Sequence, residues 1–403
     1  MNDRLHAGMR EASRLTREGR LMDATALLQR VLQSGRDRSS FAGNGYVPPT
    51  IEPAPEAVEI TGAEPGRPRS AVRAHLPAML RGFLDRITPT GFERYPGGLA
   101  EPSAPDASVP GGGQFLSKSF SSQAGSRNYK LYVPSQYRGQ PLPLIVMLHG
   151  CTQSPDDFAA GTRMNLRAEE YNCFVAYPEQ SASANISKCW NWFRPGDQIR
   201  GQGEPALIAG LTRQVMNDYS VDEERIYAAG LSAGGAAAAV LAAAYPDLYA
   251  AIGVHSGLAC GVARDVPSAF AAMHQSQPGA RRRSGNNLSG RGGYSRIVPA
   301  IVFHGDQDTT VHPNNGDQVI AQLREVLDTD VKATVERGRV PGGRTYTRTV
   351  HRDAADNSIF EQWVIHGASH AWSGGSPAGS YTDPRGPDAT REMLRFFLDH
   401  PFG

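Results

Sequence analysis

The chain has 403 residues, which is enough for one large catalytic domain with an appendage or for two domains of ordinary size. It carries 41 basic and 40 acidic side chains, so a formal net charge of +1 provides no summed field to gather nucleic acid or an anionic membrane. No run of residues approaches the roughly 20 uninterrupted apolar positions of a membrane helix. A nucleic-acid partner and a transmembrane segment are therefore not expected.

Residues 1–35 are predicted to form a small helical segment, because apolar residues recur there at every third or fourth position. A break near Gly19 suggests two short helices in a hairpin. One such hairpin cannot bury its own apolar face, so we expect it to pack elsewhere or to contact a partner or a granule surface. The arginine-rich start has no apolar block after it, unlike a secretory signal, and this favours the cytoplasm.

Residues 36–113 are predicted to be a proline- and glycine-rich linker, largely disordered. Twelve of the 29 prolines fall between Pro48 and Pro110, and no apolar period is sustained there. An amphipathic stretch at residues 78–87 interrupts the linker. It is expected to form either a docking helix or a transient helix within the tether.

Residues 114–403 are predicted to be an α/β domain, since short apolar runs alternate with helical segments. Continuous apolar strands such as residues 144–149 imply burial on both faces, hence a mainly parallel central sheet flanked by helices. A glycine- and arginine-rich stretch at 275–293 is expected to be a mobile surface insertion, with a lid as the alternative. The predicted strands are 129–133, 144–149, 174–177, 225–229, 251–255, 300–304 and 362–366, and the predicted helices are 156–171, 204–219, 233–245, 315–327 and 388–400.

The nucleophile is predicted from the residues Gly230-Leu231-Ser232-Ala233-Gly234. They follow a predicted strand and precede an alanine-rich helix, which is the setting that the GxSxG turn of an α/β hydrolase requires. Only small residues tolerate the close backbone approach in such a turn. We therefore predict an α/β-hydrolase fold with Ser232 as its nucleophile.

A nucleophilic serine needs a base and an acid, which follow it in the order acid then base in α/β hydrolases. Asp308 is the predicted acid, whereas Asp306 is better placed to hold the turn after its strand. His370 is the predicted base. His312 is the alternative, and it is less favoured because it follows the acid too closely in the sequence. The remaining candidates at strand ends are expected to be packed core or rim residues: His149, His255, His304 and His366.

The oxyanion of the reaction needs backbone N–H donors beside the nucleophile. The N–H of Ala233, at the start of the predicted helix, is one candidate. The loop after the early strand at 144–149 supplies the other, predicted to be the N–H of Cys151 or, as the alternative, of Thr152. The four cysteines lack metal-binding spacing, so no metal site is expected.

Several blocks of residues resemble the esterases of the poly(3-hydroxybutyrate) depolymerase family, whose relatives include feruloyl and acetylxylan esterases. The resemblance covers residues 126–400. The blocks are His149-Gly150-Cys151-Thr152-Gln153, Cys189-Trp190-Asn191-Trp192-Phe193, Gly230-Leu231-Ser232-Ala233-Gly234-Gly235, His304-Gly305-Asp306-Gln307-Asp308-Thr309-Thr310-Val311 and His370-Ala371-Trp372-Ser373-Gly374-Gly375.

The resemblance implies an esterase that needs no cofactor and uses Ser232, Asp308 and His370. It also implies that tryptophans lie near the acyl site, with Trp190, Trp192 and Trp372 as the candidates for substrate contact. Members of the family are commonly secreted, and Cys151 could then form a disulfide with Cys189. The chain departs from the family pattern in its N-terminal segment and linker.

These features together predict a serine carboxylic-ester hydrolase that works through an acyl-enzyme. Its expected substrate is poly(3-hydroxybutyrate), its oligomers or a related short-chain hydroxyacid ester, with plant polysaccharide esters as the alternative. A serine peptidase and a non-enzymatic granule- or partner-binding protein are the more remote alternatives, since the same triad cleaves amides and residues 1–113 are unexplained by catalysis.

Overall fold

The computed structural model describes residues 110–274, 296–325, 327 and 331–402. The predicted helical segment at 1–35, the amphipathic stretch at 78–87, the insertion at 275–293 and nearly all of the linker lie outside these residues. The predictions made for those segments therefore stay predictions.

The described residues form a ten-stranded sheet with the order β1-β2-β4-β3-β5-β6-β7-β10-β9-β8, and a separate pair of short strands, β11 and β12. The strands are β1 Gln114–Ser122, β2 Gly125–Val133, β3 Leu142–Leu148, β4 Phe174–Pro178, β5 Val221–Leu231, β6 Ala251–His255, β7 Ala300–Gly305, β8 Lys332–Arg339, β9 Thr345–Arg352, β10 Ser358–Ile365, β11 Trp372–Ser373 and β12 Thr382–Asp383.

The centre of the sheet is parallel, from β4 through β3, β5, β6 and β7 to β10. Strand β3 is buried along its whole length. Its residues alternate between two apolar clusters, with Val146 in one and Met147 in the other, because successive strand side chains point to opposite faces. The predicted parallel sheet with helices on both faces is confirmed.

Antiparallel strands extend both ends of this sheet. Strand β2 pairs with β4 and β1 at one end, and β9 pairs with β10 and β8 at the other. Strands β1, β8 and β9 were not predicted from the sequence. They are polar, and β8 is exposed at almost every position, so it has none of the apolar pattern of a central strand.

The helices are α1 Pro155–Thr162, α2 Met164–Tyr171, α3 Gly203–Asp218, α4 Ala233–Ala244, α5 Val266–His274, α6 Asn314–Arg324 and α7 Ala389–Leu398. The single helix predicted at 156–171 is two helices, because Arg163 between them adopts a left-handed conformation with φ 56°. Helix α5 was not predicted. Across the described ranges, each helix is too short or too polar to cross a membrane.

Candidate active site

Ser232 occupies the sharp turn between strand β5 and helix α4. Its backbone has φ 58° and ψ −117°, a conformation that residues with side chains rarely adopt and that surrounding structure must hold in place. The Ser232 N–H donates to the carbonyl of His255 on the neighbouring strand at 2.9 Å, and the Ser232 carbonyl accepts from Ala236 in the helix. The turn is therefore fastened to both elements that flank it.

Glycines around Ser232 are required by close packing. A Cβ atom at Gly230 would lie 2.4 Å from the backbone of Gly234, and one at Gly234 would lie 2.0 Å from the carbonyl oxygen of Leu148. No side chain can occupy that space. The small residues of the GxSxG pattern let helix α4 begin directly against the end of strand β3.

Asp308 and His370 come together from two neighbouring loops. Strands β7 and β10 pair in parallel and end at Gly305 and Ile365, so their loops leave the same edge of the sheet. The Asp308 Oδ2 atom lies 2.6 Å from the His370 Nδ1 atom. The other carboxylate oxygen accepts the N–H groups of Thr310 and Val311, each at 2.9 Å. The carboxylate is thus held with its Oδ2 atom against the Nδ1 atom of the imidazole.

The electrostatic surroundings keep Asp308 ionised. Its side chain is completely buried. Burial alone would raise the pKa of the carboxyl, but the facing imidazoles of His370 and His304 hold that pKa well below its usual range. A permanently ionised acid can fix the orientation of His370 and stabilise its protonated form.

The competing candidates lie elsewhere. The Asp306 carboxylate accepts the N–H of Gly367 at 2.7 Å and lies 2.9 Å from the His366 Nδ1 atom, so it joins the two strand-end loops instead of contacting His370. The His312 Nδ1 atom accepts the N–H of Asn314 at 3.3 Å. His312 does not line the cavity into which Ser232 and His370 open.

His304 has a role that sequence reasoning missed. It is buried, as expected, and its Nε2 atom donates to the carbonyl of Val311 at 2.8 Å. The same atom lies 3.4 Å from the Asp308 Oδ2 atom. His304 therefore supports the loop that carries the acid. Its position four residues before Asp308 is the only sequence signal that could have indicated this contact.

A cavity of about 600 Å³ opens beside these residues, and both Ser232 and His370 line it. Cys151 and Ala233, the predicted oxyanion donors, line the same cavity. Within the described ranges neither of their N–H groups donates to another protein atom. Thr152 was the alternative donor, but its N–H is already bonded to the carbonyl of Ser187 at 2.7 Å. The assignment of Cys151 and Ala233 as the oxyanion donors stays a prediction.

The wall segment, residues 179–194, forms the side of the cavity next to Cys151. A disulfide joins Cys151 to Cys189 in the structure. The indole N–H of Trp190 donates to the carbonyl of His149 at 3.1 Å, and the His149 Nε2 atom accepts the N–H of Gln180 at 3.1 Å. Burial lowers the pKa of His149 to about 4, which keeps its ring neutral and able to accept that bond.

Glu204, at the start of helix α3, holds the same segment through hydrogen bonds. Its carboxylate accepts the backbone N–H and the side-chain amide of Asn191, each at 2.7 Å, and a further bond from the Gln180 amide. The group is buried, and this desolvation raises its pKa despite the donors around it. Glu204 therefore holds two points of the wall segment together.

The tryptophans predicted to contact substrate divide into two kinds. Trp192 lines the cavity. Trp190 and Trp372 do not, so the prediction is corrected for these two residues. Trp190 is a fully buried residue of the wall segment, and Trp372 is packed against His255 with its indole N–H bonded to Thr390. Both indole N–H groups donate to acceptors in the protein interior.

Within residues 110–274, 296–325, 327 and 331–402, there is no group of three or more His, Cys, Asp or Glu side chains arranged to hold a metal ion.

The parallel sheet, the strained serine turn at its edge and the adjoining cavity define the chain as an α/β hydrolase. The fold agrees with that of the acetyl xylan esterase from Aspergillus awamori, which aligns with 72% of this chain and all of that protein at a TM-score of 0.56 and 19% identity.

The model of the family described as "Esterase PHB depolymerase" matches residues 127–348, more than half of the chain. The chain belongs to this family of serine-type carboxylic ester hydrolases, as its sequence blocks predicted.

Two relatives illustrate the range of the family. The chain is 34% identical to poly(3-hydroxyalkanoate) depolymerase C of Paucimonas lemoignei over 62% of this chain and 60% of that protein. It is 30% identical to feruloyl esterase B of Thermothelomyces thermophilus over 59% of this chain and 82% of that protein. The chain thus matches less than two thirds of the depolymerase and most of the feruloyl esterase.

Proposed function

We propose that the chain is a serine esterase that cleaves short-chain hydroxyacid esters, such as poly(3-hydroxybutyrate) or its oligomers, with Ser232, His370 and Asp308 as the catalytic triad. The observation that carries the proposal is the 2.6 Å contact between Asp308 and His370 in the wall of the cavity that Ser232 also lines. The similarity to a poly(3-hydroxyalkanoate) depolymerase supports the choice of substrate class.

The reaction proceeds by two acyl transfers. His370 takes the proton of Ser232 as the serine oxygen attacks the ester carbonyl, and Asp308 orients and stabilises the imidazolium that forms. The backbone N–H groups of Cys151 and Ala233 bind the negative charge that develops on the carbonyl oxygen. The alcohol leaves with the proton from His370. Water, activated by the same imidazole, then releases the acid from Ser232.

The chemistry of the cavity wall supports an acyl group with apolar character. Trp192, Leu258, Phe270 and Met273 line it, and helix α5 contributes two of these side chains. Apolar walls of this kind bury most of a small ligand and leave its orientation to a few polar groups. A hydroxybutyrate unit, with its methyl side group, fits this description.

The test is turnover of p-nitrophenyl butyrate by the wild type and by Ser232→Ala. Loss of a nucleophile typically lowers kcat by a factor of 10³ or more, so we expect turnover to fall by at least that much with an unchanged circular dichroism spectrum. Ser117→Ala, on the exposed edge strand β1, is the matched serine control and should keep full turnover. Retained activity in Ser232→Ala contradicts the proposal.

Feruloyl or acetylated polysaccharide esters are the second candidate, because feruloyl esterase B matches this chain over 82% of its own length. A panel of hydroxybutyrate oligomers, methyl ferulate and acetylated xylan separates the two. We expect the largest kcat/KM for the hydroxybutyrate oligomers. A larger kcat/KM for methyl ferulate would contradict the hydroxyacid assignment and favour feruloyl esters as the substrate class.

The working compartment and the N-terminal partner stay predictions. The disulfide between Cys151 and Cys189 supports an oxidising compartment. We propose the oxidising compartment. Trapping free thiols in protein taken from its native compartment tests this: protection of Cys151 and Cys189 from alkylation is the expected result, and alkylation of both contradicts it.

A further inference from the structure

Arg194 is a charged residue in the wall of a cavity that is otherwise mostly apolar. It stands at the end of the wall segment and lines the cavity that contains Ser232. The described residues that line this cavity include no aspartate and no glutamate. Apart from His370, which we propose acts in the triad, the guanidinium is therefore the one side chain among those residues that carries a charge at neutral pH.

The guanidinium has no internal carboxylate partner in the described part of the chain. Its recorded neighbour is the ring of Phe193, whose centre lies 6.0 Å from the guanidinium carbon. That ring packs edge-on against Trp192 at 5.7 Å. By contrast, the Arg200 guanidinium a few residues later forms a two-pronged ion pair with Asp247. Arg194 is exposed, so among the described residues its guanidinium donors are open to a ligand that enters the cavity.

The backbone around Arg194 is firmly held. The Arg194 N–H donates to the carbonyl of Asn191 at 2.9 Å, and Asn191 is itself bound by the buried carboxylate of Glu204. On the other side, the Gln198 amide bridges the carbonyls of Trp192 and Ala263, each at 2.9 Å. The arginine therefore projects from a supported segment, as a recognition residue must.

We propose that Arg194 binds a free carboxylate on the substrate, so that the preferred substrates are short hydroxyacid oligomers with a terminal carboxylate. This inference rests on the proposed esterase function. A planar guanidinium pairs with a carboxylate through two parallel hydrogen bonds. In a 3-hydroxybutyrate dimer the alcohol part of the ester carries such a carboxylate, whereas acetylated sugars and methyl ferulate are neutral.

The test compares each oligomer acid with its own methyl ester, which adds one methyl group and lacks the charge, and cleavage of the internal ester is the reaction that is measured. For the 3-hydroxybutyrate dimer and trimer we expect Arg194→Gln to raise KM of the acids about tenfold, the effect of losing one charge-assisted interaction. The methyl esters should change less than twofold. Arg194→Lys should restore part of the affinity, and the wild-type preference for acids should weaken as salt is raised.

The matched control is Arg391→Gln on helix α7, which removes the same charge away from the cavity and should leave the acid and ester KM values unchanged. Equal effects of Arg194→Gln on acids and methyl esters, or no effect on either, would overturn the inference. Turnover of the methyl esters would still support the esterase function in that case, so the two failures are distinguishable.

Binding without turnover provides a second measurement. Calorimetric titration of Ser232→Ala with the dimer acid and its methyl ester should show about tenfold tighter binding of the acid. The double variant Ser232→Ala/Arg194→Gln should lose that preference. Equal affinity for acid and ester in Ser232→Ala would contradict a carboxylate site, whatever the enzyme hydrolyses.

Discussion

Two regions that line the cavity are built in different ways. The strand-end loops, residues 306–312 and 367–371, place Asp308 and His370 through the parallel pairing of β7 with β10. The wall segment, which follows β4, contains no strand. It is held by contacts between residues far apart in sequence, such as the disulfide at a separation of 38 residues and the bond from Trp190 to His149. The proposed catalytic residues Asp308 and His370 are placed by the ends of paired strands, whereas the cavity wall is held in place by cross-links.

The largest effect is expected from changing the acid in the strand-end loops. Asp308→Asn removes the charge that orients His370 while keeping the shape of the side chain. In Ser-His-Asp hydrolases this change lowers kcat by roughly 10⁴, so a loss of about 10³ to 10⁴ in kcat is expected with p-nitrophenyl butyrate. Asp306→Asn is the matched control, because Asp306 binds the Gly367 N–H and not the base. A loss below tenfold for Asp306→Asn is expected, and equal losses in the two variants would contradict the assignment of the acid.

A smaller effect is expected from removing the disulfide that holds the wall segment. Cys151→Ser/Cys189→Ser removes the cross-link, and disulfides closing loops of this size typically contribute about 2–4 kcal/mol to the free energy of unfolding. Urea unfolding measures that loss. Because Cys151 also supplies a proposed oxyanion donor, kcat should fall about tenfold, less than the roughly 100-fold cost of deleting such a donor.

Reductant provides the control for the disulfide. Dithiothreitol should reproduce the loss of stability in the wild type and have no further effect on the double variant. The remaining cysteines, Cys173 and Cys260, are free and buried, so they are not expected to respond. A wild type that keeps its full free energy of unfolding in reductant would show that the wall segment does not depend on the cross-link.

The smallest effect concerns His149, which joins strand β3 to the wall segment. Its folded-state pKa of about 4 is below the ordinary value of 6.5. The folded state therefore resists protonation: the contribution of His149 to stability is complete above pH 6.5 and is lost as the pH falls towards 4. At pH 5 the loss should be about 2 kcal/mol in the free energy of unfolding.

Urea unfolding between pH 7.5 and 4.5 measures this dependence. His149→Gln keeps one donor and one acceptor without titrating, so its stability should fall less steeply over the same range. His255, whose pKa burial also lowers, remains in both proteins and cancels in the comparison. Identical slopes for the wild type and His149→Gln would contradict the neutral, anchoring role of His149.

Much of the site's position could be predicted, because it depends on local pattern. The apolar run before Ser232, the glycines around it and the alanines after it predict a strand, a tight turn and a helix, and the structure has all three. The choice of Asp308 over Asp306 likewise depended on distance from the strand end. The polar strands β1, β8 and β9, near the two ends of the sheet, were missed because the apolar pattern that marks a central strand is absent there.

The sequence by itself determined the α/β-hydrolase fold, the serine turn and the two loops that carry Asp308 and His370, since each depends on residues close together in the chain. Only the tertiary structure decided that Trp192 reaches the cavity while Trp190 and Trp372 do not, and that Arg194 stands in the cavity wall without an acidic partner in the described residues. The direction of a side chain in an irregular segment is set by the distant residues packed against it. Those neighbours become known only when the chain is folded.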